Sequence, residues 1–150
     1  MDLAARFSKL KSGFARTFWV ANVLELFERF SFYGSKIVLA VFLAETVGLG
    51  PLGVSLVGLY GFAVYFLPIL AGPVVDRYGF KKSLAACFAI FSLGYFLLAL
   101  SGLPLGRPLV GFFGPKAWVV GALLVTAIGG SLIKPCIVGT VARTTTHDTK

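Results

Sequence analysis

The sequence predicts an all-α polytopic membrane protein with four transmembrane helices. Three observations carry that prediction: a composition too apolar for a water-soluble globule, four apolar runs long enough to cross a bilayer, and basic residues gathered on one side of them. With 57% hydrophobic, 15% aromatic and only 13% charged residues, 150 residues cannot clothe a globule in polar side chains. The runs cover about 18–47, 52–75, 83–103 and 117–142, each sufficient for a span of about 20 residues. They are apolar on successive positions and punctuated by Gly and Pro, whereas membrane strands would alternate in polarity.

Residues 1–17 form a basic N-terminal segment with Arg6, Lys9, Lys11 and Arg16. The apolar run that follows is too long for a cleaved leader, carries internal charges and lacks a small-residue cleavage site, so the first helix is expected to be retained. Within it lies Glu25-Leu26-Phe27-Glu28-Arg29-Phe30-Ser31-Phe32-Tyr33-Gly34, with Lys36 just beyond. A charge at the centre of a membrane helix costs roughly 2.5–3.5 kcal/mol on insertion scales unless it is paired or faces water. At helical periodicity Glu25, Glu28, Arg29, Phe32, Tyr33 and Lys36 share one stripe, which should face a polar cavity.

The second run ends in Gly72-Pro73-Val74-Val75-Asp76-Arg77-Tyr78-Gly79-Phe80-Lys81-Lys82, a tight basic junction before the third. Taken alone, such a junction could be a simple topology anchor. Only Arg107 and Lys116 lie on the opposite side, between the third and fourth runs. The positive-inside bias then places both termini and the 2–3 junction in the cytoplasm. The net charge of +8 reflects this topology plus Arg29, Lys36 and Lys134 within spans, and no basic soluble domain suggests a nucleic-acid partner.

The fourth run contains Gly129-Gly130-Ser131-Leu132-Ile133-Lys134-Pro135-Cys136. Pro135 removes a backbone donor and frees the Ser131 carbonyl, so a kink or local opening is expected there. At about 1.5 Å per residue, Lys134 lies about 12 Å, and Arg29 about 16 Å, from the same membrane face, which puts the two cations at similar depth. Cys87 and Cys136 read as packing residues, His147 as an exposed residue of a Thr-rich tail, and Gly58, Gly61, Gly121, Gly129 and Gly130 as sites of close helix packing. No His, Cys or Ser constellation with catalytic spacing is present, so an enzyme is not expected.

The junction resembles the loop signature G-x-x-x-D-R-x-G-[RF]-[KR]-[KR] of the major facilitator superfamily, and the resemblance implies conformational roles for Gly72, Asp76, Arg77 and Gly79. Gly72 would permit close helix approach, and Asp76 would make charge contacts across the interface between halves. Together with E-x-x-E-R-F-x-[FY]-Y-G on the first helix and G-x-x-x-K-P on the fourth, it resembles the proton-coupled oligopeptide transporter family. That resemblance implies the first four helices of the N-terminal six-helix half of a major facilitator fold, in a chain expected to continue beyond its cytoplasmic 143–150 segment and to need the remaining helices of the same transporter. It implies symport of a small peptide with a proton as coupling ion, no cofactor or metal, and a home in the cell membrane. Glu25 and Glu28 would couple the proton, and Arg29, Tyr33 and Lys134 would bind substrate. Phe32 stands where the family usually has Tyr, and with Lys36 is a further candidate for the cavity lining, Lys36 being equally suited to snorkel outward.

A mechanism follows from the stripe: protonating a glutamate releases Arg29 or Lys134 to receive a substrate carboxylate. Other readings remain open at this level: a static ion network that stabilises the bundle, a major facilitator for an amino acid, sugar or drug, and a small membrane scaffold without transport.

Overall fold

A computed structural model describes residue 14 and residues 16–147. All regular structure among them is helical. Helix α1 (Arg16–Val41) runs into a π-turn, Phe42–Thr46, and two left-handed glycines, Gly48 and Gly50, turn the chain into α2 (Pro51–Phe66). Next come α3 (Pro68–Tyr78), α4 (Phe80–Gly102), a 3₁₀ turn at Pro104–Gly106, the short α5 (Arg107–Phe113) and the long α6 (Pro115–His147).

Contacts between the helices fix their register. The hydroxyl of Tyr33 on α1 meets that of Tyr65 on α2, and Lys36 packs on Gly61, so later residues of α1 meet earlier ones of α2. Helices α4 and α6 are antiparallel: the Trp118 indole N–H donates to the Leu97 carbonyl at 2.9 Å, and Cys87 Sγ donates to the Gly129 carbonyl at 3.0 Å. Gly129 stands against the Phe91 backbone and Gly94 against Thr126, where any added Cβ would collide with main chain. Small residues thus let two helices approach without a side-chain layer between them. A Cβ on Gly58 or Gly121 would meet nothing within 4 Å in this chain.

Two apolar clusters form the core. Phe32, Leu43, Val64, Val119 and Ala127 belong to one, and Ala21, Cys87, Ile133 and Ile137 to the other. Cys87 and Cys136 are free and buried, as packing residues should be. The register puts Arg77, Lys81 and Lys82 at the end where α1 begins, and Arg107 and Lys116 at the other.

By length and hydropathy, 81–102 and 115–142 can each cross a membrane, and α2 with α3 makes a third span if the pair, bent by 45°, is one broken helix. Helix α1 has the length at 26 residues, but Glu25, Glu28, Arg29 and Lys36 lower its hydropathy. The sharp break falls at Leu67–Pro68, where Pro68 leaves the Val64 carbonyl without its helical donor. At Pro135, where a kink or local opening is expected, the helical assignment of α6 runs on to His147. The N-terminal basic residues before Arg16, Lys150 and the side chain of His147 lie outside the described residues.

Candidate functional site

At about 100° per residue, the buried positions Ala21, Glu28, Phe32, Leu39 and Leu43 lie on one face of α1. Glu25, Arg29, Tyr33 and Lys36 occupy one flank of that face, the flank turned toward α2. The polar stripe is therefore split: Glu28 and Phe32 are buried at 6% and 1% exposure, while the others sit at the margin or in the open.

Glu28 and Arg29 form a two-pronged ion pair, Nε to Oε2 at 2.5 Å and Nη2 to Oε1 at 2.9 Å. This is the geometry that makes an Arg–carboxylate contact strong and directional. The Arg29 guanidinium also lies 5.4 Å from the centre of the Phe32 ring. On the open side of Phe32, the hydroxyls of Tyr33 and Tyr65 are hydrogen-bonded at 2.8 Å. The Lys134 ammonium, projecting from α6, stands 4.5 Å over the Tyr65 ring. Two of the candidate cations thus meet at one polar spot built from α1, α2 and α6, with Tyr33 53% and Tyr65 48% exposed beside them.

Among the described residues Lys134 pairs with no carboxylate and Glu25 with no cation. Lys36 lays its ammonium against Gly61 of α2. Phe32 is packed beneath the site, with its ring centroid 5.3 Å from that of Tyr33, 5.8 Å from Tyr60 and 6.4 Å from Tyr65. It is a floor for the tyrosines and not part of the open lining, because burial at this position leaves no surface for a substrate to touch.

Tyr65 went unnoticed in the sequence because an aromatic residue in an apolar run signals packing. Only its spatial neighbours mark it as polar-site material. A cavity of about 290 Å³ bounded by Leu97, Phe113, Trp118 and Gly121 lies toward the opposite end of α6, lined by apolar residues. It offers no ionisable group, so the chemistry resides at the tyrosine pair instead.

Asp76 and Arg77 are exposed, the Arg77 guanidinium lies 6.0 Å from the centre of the Tyr78 ring, and Asp76 makes no ion pair among the described residues. A Cβ on Gly72 would meet nothing within 4 Å. Within this chain Gly72 therefore permits no close approach. Gly79 has a clear local reason: it sits at φ 84°, ψ 150° between α3 and α4, a region essentially reserved for glycine.

Residues 22–149 match the family model described as Major Facilitator Superfamily. A peptide transporter of Yersinia enterocolitica, YePEPT, is 30% identical over 120 residues, covering 75% of this chain and 22% of that protein. The di-/tripeptide transporter of Lactococcus lactis is 35% identical over 121 residues, covering 75% and 22%. The Drosophila melanogaster protein named peptide transporter family 1 is 30% identical over 116 residues, covering 75% and 15%. The chain spans less than a quarter of the length of these relatives. No solved structure matches it. The resemblance carried by the three motifs accordingly stands.

Proposed function

We propose that this chain, which belongs to the Major Facilitator Superfamily, supplies the first four membrane spans of a proton-coupled symporter for di- and tripeptides, with α1 as a charged first span and the 3–4 helix junction cytoplasmic. The observation that carries the reading is the convergence of Arg29, Tyr33, Tyr65 and Lys134 beside an open face, with Glu28 holding Arg29 from below. A zwitterionic peptide needs a cation for its carboxylate and polar or aromatic groups to orient its backbone. Lys134, unpaired among the described residues, meets the first need, and the tyrosine hydroxyls meet the second.

Coupling follows from competition. While Glu28 is ionised it engages the Arg29 guanidinium through both oxygens; once protonated it loses most of that attraction, and Arg29 becomes available to an anionic substrate. Glu25, half-buried on the same flank, is the second carboxylate able to take the proton. The names of the relatives point the same way, being peptide transporters and permeases.

The test is uptake of a labelled dipeptide by the full transporter that contains this chain, reconstituted in liposomes with an imposed proton gradient. Accumulation that collapses with the gradient is expected. Accumulation of a sugar, drug or single amino acid with no dipeptide uptake would overturn the peptide assignment.

A further inference from the structure

The apolar cavity between α4 and α6 has no part in the polar cluster, and its shape is informative. Ala117, Gly121 and Val125 line it at four-residue spacing along one face of α6, so it runs with the helix axis for about 12 Å. Leu97 and Trp118 wall it, and Phe113 stands at the end where α6 begins. Of the apolar stretch 115–142, Ala117 lies at the edge and Val125 about two turns further in. The groove therefore descends from the membrane surface into the hydrocarbon. Its floor is open because Gly121 has no side chain, and a Cβ there would meet nothing within 4 Å. The Trp118 wall is fixed by its indole N–H, which donates to the Leu97 carbonyl across the two helices at 2.9 Å. An elongated apolar slot of about 290 Å³ suits a flexible hydrocarbon chain better than a compact polar solute, which would need convergent polar groups to orient it.

Charge at the outer end decides what such a chain belongs to. Lys116 immediately precedes Ala117, and Arg107 follows Gly106, which packs on the Leu100 backbone one turn beyond Leu97. Both cations are exposed, and neither pairs with a carboxylate among the described residues. Neither α5 nor the first turn of α6 contains an acid. Glu45, the carboxylate at this end among the described residues, sits on the connection between α1 and α2 and pairs with neither cation. Arginine and lysine at a membrane surface attract and hold lipid phosphate. Beside them Leu105 and Phe112 are 80% and 83% exposed, bulky apolar groups suited to the boundary between headgroups and acyl chains. We propose that this groove binds one anionic phospholipid, with an acyl chain along Ala117, Gly121 and Val125 and the phosphate held by Arg107 and Lys116. A further helix of the transporter would need small residues along the whole contact, and the exposed Phe113 ring obstructs that approach. The inference requires only that α4 and α6 cross a bilayer and is independent of which solute is transported.

The experiment uses the full transporter containing this chain, reconstituted in phosphatidylcholine vesicles and titrated with phosphatidylglycerol brominated on its acyl chains. Trp118 emission is read as the difference between the parent and Trp118→Phe. Brominated phosphatidylglycerol should quench it at mole fractions at least about fivefold below those needed with brominated phosphatidylcholine. Arg107→Gln and Lys116→Gln should each shift the phosphatidylglycerol titration about fivefold toward higher mole fraction, the attraction of one basic residue for an anionic headgroup, and leave the phosphatidylcholine titration in place. Gly121→Leu, whose side chain fills the groove, should remove the preferential component. Native mass spectrometry keeps the test open if Trp118→Phe fails to fold: one phosphatidylglycerol should survive delipidation on the parent and be lost from Gly121→Leu. Equal quenching by the two lipids would mean an unselective lipid shell and overturn the proposal. Absence of quenching by either would mean that another helix of the transporter covers the groove, and would overturn it too, as would an adduct that Gly121→Leu retains.

Discussion

Lys134→Ala should weaken substrates that bear a free carboxylate and leave those without one nearly unaffected. The structure sets the size of the effect. The Lys134 ammonium rests on the face of Tyr65 at 4.5 Å and has no carboxylate partner among the described residues, so a substrate carboxylate can engage it without first breaking an ion pair. The full value of a charge-assisted hydrogen bond, about 1.5–3 kcal/mol, is then lost on truncation. That corresponds to about a ten- to hundredfold rise in the inhibition constant. The cation–π contact with Tyr65 is lost as well, at about 0.5–1 kcal/mol for a partly exposed pair, but it exists without substrate and lowers stability more than affinity. The assay is competition against labelled dipeptide uptake in proteoliposomes by a dipeptide and by its C-terminally amidated form. The free acid should lose ten- to hundredfold in the variant, and the amide less than about threefold. Equal losses for the two competitors, or none, would refute the assignment of Lys134 to the carboxylate.

Glu25→Gln should abolish gradient-driven accumulation in reconstituted vesicles while substrate exchange across the membrane persists; unchanged accumulation would assign Glu25 a purely structural role. Gly79→Ala should destabilise the α3–α4 junction by about 1–3 kcal/mol, the cost of a side chain at φ 84°, read as a lower melting temperature in detergent. Gly94→Val should lower it further, since a Cβ there meets the Thr126 main chain, whereas Gly121→Ala, which faces open space, should shift it little. If the two latter variants melted alike, close approach would not be what holds α4 to α6.

Periodicity and residue type made much of the fold legible. Unbroken apolar runs can only be buried or lipid-facing helices, and charges spaced along one helical face have to point at something polar. Lys134 was legible for the same reason. What escaped the sequence was anything decided between helices. Pro135 and Pro68 look equally disruptive on paper, yet α6 absorbs the first and α2 ends at the second. The π-turn at Phe42–Thr46 left no mark that periodicity could detect. Tyr60 and Tyr65 are five residues apart in one apolar run, and nothing in the run tells that one hydroxyl is buried without a partner while the other bonds to Tyr33. Gly94 was likewise one small residue among many until Thr126 stood opposite it. Hydrophobic pattern specifies which face is inside; it does not specify which neighbour waits there.

The two cations of the site differ in a way that orders events. Arg29 is held by the residue next to it in the chain, through two hydrogen bonds to a carboxylate whose side chain is only 3% exposed. That pair cannot be separated by a movement between helices, because both members belong to one turn of α1. Only a change in charge can loosen it. Lys134, reaching across from α6 to a tyrosine of α2, is free to meet an anion at once, but its position depends on how those two helices stand. On the transport reading proposed above, the first contact of a substrate carboxylate would be governed by helix geometry through Lys134, and the second by protonation through Arg29. A site built this way would sense shape and proton separately and could require both, whereas two identical lysines on mobile helices would report only the arrangement of the bundle.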